Sequence, residues 1–265
     1  MFDFLLLFTS VIAGVLGAIL GLGGGIILVP ALTLLLHVNI RYAVAASLIS
    51  VVATSSGAAS TYLKDNFTNV RIATLLEVGT VTGAIAGFLL AQKINSTELY
   101  FLFGCMLFLS AVLMLKNRKT PLPGDEHAWA KNLKLSGANY NVAGVPWALG
   151  VMFVAGVLSA LLGIGSGILK VLAMDGAMKL PIKVSTATSN FMIGVTAAAS
   201  AGAYLLSGDV RPELAVPISI GTLAGSRIGA RLMLKMEAAL IRKIFMIVLT
   251  FVSFQMMLKG LALHE

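Results

Sequence analysis

Two cations stand where the surrounding residues are apolar: Lys170 in GIGSGILKVLAM and Arg227 in IGTLAGSRIG. On insertion scales a charge at membrane depth costs at least ~2.5 kcal/mol and calls for an anionic partner. For Lys170 the choices are an anionic substrate, with the Ser166 hydroxyl donating to the same anion, or Asp175 five residues on, or snorkelling to the surface. Arg227, Arg231 and Lys235 follow at helical spacing, a stripe able to draw an anion inward; Arg231 and Lys235 read as interfacial anchors and Arg227 as the deep member. Glu77 and Asp175 are the carboxylates placed to carry a coupling proton, and each fits a helix end or a salt bridge as well.

Glycines cluster beside this chemistry. Gly23, Gly24 and Gly25, and then Gly165 and Gly167, lack the Cβ that keeps a ligand off the backbone, and they break a helix cheaply. A broken helix turns N–H groups and a positive dipole end toward an anion; the plainer role of glycine is close helix packing. Small hydroxyl residues follow each cluster, with Ser47 in the first set and Ser189 beside Asn190 in the second. They either bond neighbouring helices or line a cavity, and the reading for Ser189 and Asn190 leans to the cavity. The Gly165, Ser166, Gly167 triplet has the look of a protease nucleophile, which needs a general base within reach. His37, His127 and His264 fall in a loop, a linker and a tail, so no enzyme is expected, and with Cys105 alone and apolar no metal or cofactor site either.

The elements that must carry these residues are membrane helices. The chain is 58% hydrophobic and 11% charged, against about a quarter charged in soluble domains, and its mean hydropathy is +0.96. Its apolar runs are continuous and most match the ~20 residues that span a bilayer; barrel strands would alternate. The net charge of +8 resides in short loops and reads as a topology signal rather than a nucleic-acid surface. The N-terminus lacks a basic region before its apolar run, so that run is expected to be retained.

An internal repeat organises the runs. Shifting the chain by 142 positions aligns Ala13 to Leu63 with Ala155 to Leu205 without a gap, with 19 identities, and sets Gly21, Gly23 and Gly25 on Gly163, Gly165 and Gly167. The expected domains are a first transmembrane repeat at 1–116, a cytoplasmic linker at 117–146 and a second repeat at 147–265. The expected fold is an all-α polytopic membrane protein, each repeat a glycine-broken helical hairpin, re-entrant or fully spanning, followed by three transmembrane helices. With hairpins the repeats are inverted, and Lys and Arg outside the apolar runs divide thirteen against four; with single crossings they divide nine against eight. The positive-inside rule selects the inverted arrangement, with both termini periplasmic and the linker cytoplasmic.

With GLGGGIILVPAL at 21–32, GIGSGILKV at 163–171 and ATSNFMIGVTA at 187–197 in view, nearly the whole chain resembles the TauE/SafE family of sulfite exporters. The resemblance implies a bacterial inner (plasma) membrane carrier that exports sulfite, sulfoacetate or a related sulfur-containing anion or organosulfonate. The site it would share comprises Gly23, Gly24, Gly25, Ser47, Gly165, Ser166, Gly167, Lys170, Ser189, Asn190 and Arg227. An anion channel and an uptake carrier for another small anion stay open beside it. The expected partners are the anion, the lipid bilayer and a second copy of the chain in a homodimer. Two departures, Leu172 in the place of Pro30 and Ser166 in the place of a glycine, predict a differently shaped second break.

Overall fold

The computed structural model describes residues 2–64, 67–115 and 144–262, so the linker lies outside the described residues except for its last three. Every regular element among them is helical. In the first repeat α1 (Phe2–Leu20) leads through a glycine turn into a short α2 (Gly25–Pro30), followed by α3 (Ile40–Lys64), α4 (Val70–Ala91) and α5 (Ser96–Leu115). The second repeats the order: α6 (Val145–Leu162), α7 (Gly167–Leu172), α8 (Ile182–Leu206), α9 (Pro212–Lys235) and α10 (Ala238–Ala262). By length and hydropathy α3, α4, α6, α8 and Ala239–Leu261 of α10 can cross a membrane. Phe101 and Phe108 on α5 and Phe251 and Phe254 on α10 lie exposed on the outside, as lipid-facing side chains do when the solvent is hydrocarbon.

Both short helices continue into a π-helical turn, Ala31–Leu35 after α2 and Ala173–Ala177 after α7. The two breaks therefore share one shape, contrary to the expectation from Leu172 and Ser166. The proline is incidental to the turn, and Ser166 takes the same left-handed backbone as Gly24, φ 56° against 78°. The chain doubles back at each break. Leu22 N–H donates to Gly17 O at 2.9 Å, and a Cβ on Gly24 would lie 3.0 Å from Ala13 O.

The fourth helix of each repeat packs on the hairpin of the other. On α4, Gly79, Gly83 and Gly87 meet the backbone of Leu149, Phe153 and Val157 on α6; on α9, Gly221, Gly225 and Gly229 meet Leu7, Val11 and Val15 on α1. Glycine every fourth residue exposes one backbone stripe per helix, and lipid offers no hydrophobic drive to compete with that close fit. Both seams are parallel, because partner numbers rise together. The two long central helices cross the other way. Val51 of α3 and Ile193 of α8 both abut Gly23 and Gly165, while Ser55 donates to Asn190 O and lies against Gly194, so numbers rise on α3 as they fall on α8. At the periphery α5 and α10 are antiparallel as well: Ser253 donates to Gly104 O at 2.9 Å, and Gly260 lies against Phe101.

Candidate functional site at the paired glycine breaks

The two breaks meet at the crossing of α3 and α8, midway along both helices. Positive φ at Gly21, Gly23, Gly24, Gly163, Gly165 and Ser166 makes the turns, and only glycine adopts it without strain at most of these positions. Gly25 packs against Ile164 and Ser47, and Gly167 against the Gly21 carbonyl and Leu22. The sequence set Gly23, Gly24, Gly25, Gly165, Ser166 and Gly167 is thus brought to one place. Ser166 is buried, and its hydroxyl donates to Gly165 O at 2.7 Å.

Ser47 and Ser189 belong to the same place, in matched roles. Ser47 donates to Gly163 O at 2.6 Å and Ser189 to Gly21 O at 2.9 Å. Each serine of one repeat therefore satisfies a carbonyl released where the other repeat's helix ends. Tyr62 and Tyr204 do the same inside each repeat, donating to Ala18 O and Ala160 O, both at 2.9 Å. The sequence points to a cavity wall for Ser189 and Asn190; in the structure the Ser189 hydroxyl and the Asn190 amide N–H groups bond to backbone, while Asn190 Oδ1 is buried without a partner among the described residues. Asn190 Nδ2 donates to Ala18 O at 2.9 Å and Thr186 O at 3.1 Å. Ser47→Ala and Ser189→Ala should each cost roughly 1–3 kcal/mol by orphaning a buried carbonyl. Lowered thermal midpoints for the two single variants, and a further drop for the double, would check this.

Lys170 is fully buried on α7, and its partner is neither Asp175 nor the surface. Its Nζ lies 2.9 Å from Glu77 Oε1 on α4 and 2.5 Å from Thr196 Oγ1 on α8. Thr196 also lies 3.0 Å from Glu77 Oε2, and Thr80 donates to that oxygen at 2.8 Å. The carboxylate is therefore held by an ammonium and two hydroxyls. The sequence alone marks Lys170 and Glu77 separately and does not single out Thr80 or Thr196 for the site. The signal for Thr80 was its place one helical turn after Glu77. Asp175 is half-buried in the turn after α7 and has partners of its own.

Arg227 is not brought to the site. Its side chain is exposed, because α9 turns Thr222, Gly225, Ser226 and Gly229 inward and leaves Arg227 on the opposite side. Arg231 and Lys235 are exposed on the same outer side. The stripe is real, but it faces away from the breaks.

A match to the family described as Sulfite exporter TauE/SafE runs over residues 6–256, through both hairpins, both breaks and the ion pair. The chain belongs to the TauE/SafE family. Similar proteins include the probable membrane transporter protein YunE of Bacillus subtilis (strain 168), 28% identical over 97% of this chain and 98% of that protein. Another from the same organism, YdhB, is 32% identical over 86% of this chain and 89% of its own length. The probable membrane transporter protein MJ0441 of Methanocaldococcus jannaschii is 26% identical over 86% and 85%. No solved structure matches the chain. As a TauE/SafE member with several apolar helices of spanning length, this is a multi-pass membrane transporter.

Proposed function

We propose that this transporter is a secondary carrier exporting sulfite or a related small sulfur-containing anion or organosulfonate across the plasma membrane, with the anion held between two inverted repeats. The meeting of the two glycine breaks at the α3 and α8 crossing carries the reading. In inverted-repeat carriers the substrate sits near the midplane where broken helices face each other, and here the breaks are equivalent under the 142-residue shift. Antiparallel α3 and α8, which occupy equivalent places in the two repeats, support the inversion. So does the distribution of basic residues, which under the positive-inside rule favours both termini outside the cytoplasm. Val51 and Ile193 fill the crossing against Gly23 and Gly165, a closed arrangement that favours a carrier over an open channel.

The family description supplies sulfite as the first anion to try. Purified protein is expected to gain thermal stability with at least one of sulfite, thiosulfate, sulfate and methanesulfonate, by the mass-action shift of a ligand that binds the folded state alone. Proteoliposomes preloaded with that anion should then release it faster than protein-free vesicles. A flat response to all four anions would refute the reading.

A further inference from the structure

We propose that Glu77 and Lys170 form a proton-linked anion switch, in which protonation of Glu77 releases the Lys170 ammonium to the transported anion; the inference rests on the anion-carrier reading above. The first argument is neutrality. Lys170 is wholly buried and Glu77 is 7% exposed, and an unpaired charge in such a place is expensive. The salt-bridged pair is neutral. Adding only an anion would leave one buried negative charge, and adding only a proton one positive charge. Adding both gives a neutral carboxylic acid beside an ammonium and anion pair. The step balances: a proton from water binds the Glu77 carboxylate, the anion X⁻ takes its place against Lys170, Lys170 keeps its proton, and no other bond changes.

The second argument is asymmetry. Under the 142-residue shift Lys170 corresponds to Leu28, Glu77 to Ser219, Thr196 to Thr54 and Thr80 to Thr222. In that half Leu28 packs in an apolar cluster with Ile218 and Ala215, and Ser219 donates to Ala215 O. The same arrangement of helices therefore stands without an ion pair, and buried ion pairs add little stability over apolar packing. The charge is absent where only packing is needed.

The third argument is isolation. The ammonium is a point charge on a flexible stem, three residues beyond Gly167 and so one helical turn from the break. Among described residues, α6 brings no titratable group to the pair, and α5, which also packs on α7, carries Glu98, exposed in its first turn, with Tyr100 and Cys105. On α8 the other charge, Lys183, donates to Leu234 O; on α4 it is Arg71, exposed at the helix start; and on the α7 segment it is the partnered Asp175. Glu77 is thus the group whose protonation changes the charge facing Lys170. A monovalent anion then moves together with one proton, and transport is electroneutral. Its direction follows the anion and pH gradients and not the membrane potential.

The test uses the full-length protein in detergent, titrated separately with sulfite as its hydrogen-sulfite monoanion, methanesulfonate and ethanesulfonate in weakly buffered solution containing a pH indicator. Protons exchanged by the anion itself are subtracted from a protein-free titration. The wild type is expected to take up one proton per monoanion bound, with affinity falling about tenfold per pH unit on the alkaline side. Glu77→Gln, a mimic of the protonated carboxyl, should bind without proton uptake and with no pH dependence. Lys170→Met should not bind. The double variant Glu77→Ser with Lys170→Leu, which imitates the half that holds Leu28 and Ser219, should stay folded and monodisperse yet neither bind nor take up protons. Proton-free binding by the wild type, pH dependence surviving in Glu77→Gln, or binding by the double variant overturns the switch and leaves the carrier reading standing. Failure of all three anions to bind the wild type overturns the switch, and a flat response to the remaining anions tried above overturns the carrier reading with it.

Discussion

Glu77→Leu is expected to destabilise the protein by about 3–5 kcal/mol, the range seen when one member of a buried ion pair is removed and the other stays charged. The loss comes from Lys170, which would keep one bond to Thr196 and no counter-charge while fully buried. Introducing Lys170→Leu as well should recover most of it, since the unpaired ammonium is then replaced by the leucine side chain that already fills the equivalent place at Leu28. Denaturant or thermal unfolding in detergent micelles reads both effects. A single variant as stable as the wild type would mean that the ammonium has another anion at hand, and a double variant no better than the single would mean that the carboxylate, not the unpaired cation, is what the helices need.

The second large effect is expected at Gly167. A Cβ there would fall on the carbonyl oxygen of Gly21 and lie 2.7 Å from Leu22 Cα, both backbone atoms of the opposite break. Backbone cannot swing aside as a side chain can, so Gly167→Ala must spread the two hairpins. Overpacking of this kind costs about 1–3 kcal/mol or more, and it would weaken transport wherever the breaks must stay in register. Gly150→Ala and Gly202→Ala, where a Cβ meets nothing within 4 Å, should be neutral or mildly stabilising, because alanine favours helix over glycine by about 1 kcal/mol. Fluorescence-detected chromatography after a heat challenge separates the three variants. Equal survival of Gly167→Ala and the controls would show that the breaks are looser than the structure has them.

The sequence made the breaks, the serines and the order of helices readable because a repeat shifts every residue type by the same distance, so Ser47 and Ser189 announce each other. The charges were harder. That Lys170 needed an anion followed from its neighbours, but the identity of that anion did not, since Glu77 lies on a helix that crosses to the other repeat's hairpin. No local rule joins positions so far apart in the chain. Arg227 failed for a different reason. Its apolar surroundings suggest depth, whereas the glycines at 221, 225 and 229 mark the packed stripe of α9 and place residue 227 across from it. Helical phase, available in the sequence, outweighs hydropathy in deciding which side of a membrane helix a charge occupies.

The packing of α4 and α9 on the opposite hairpins also sets a timetable for making the protein. The α4 stripe of Gly79, Gly83 and Gly87 is complete about seventy residues before its partners Leu149, Phe153 and Val157 are synthesised. At ~5–20 residues per second that is a wait of roughly 4–14 s, during which a helix shaped to touch another backbone faces only lipid. The α1 surface at Leu7, Val11 and Val15 waits longer still, until α9 is made. Neither repeat can complete its own packing from its own residues, so the interior of this transporter closes late, when the ninth helix has joined the first.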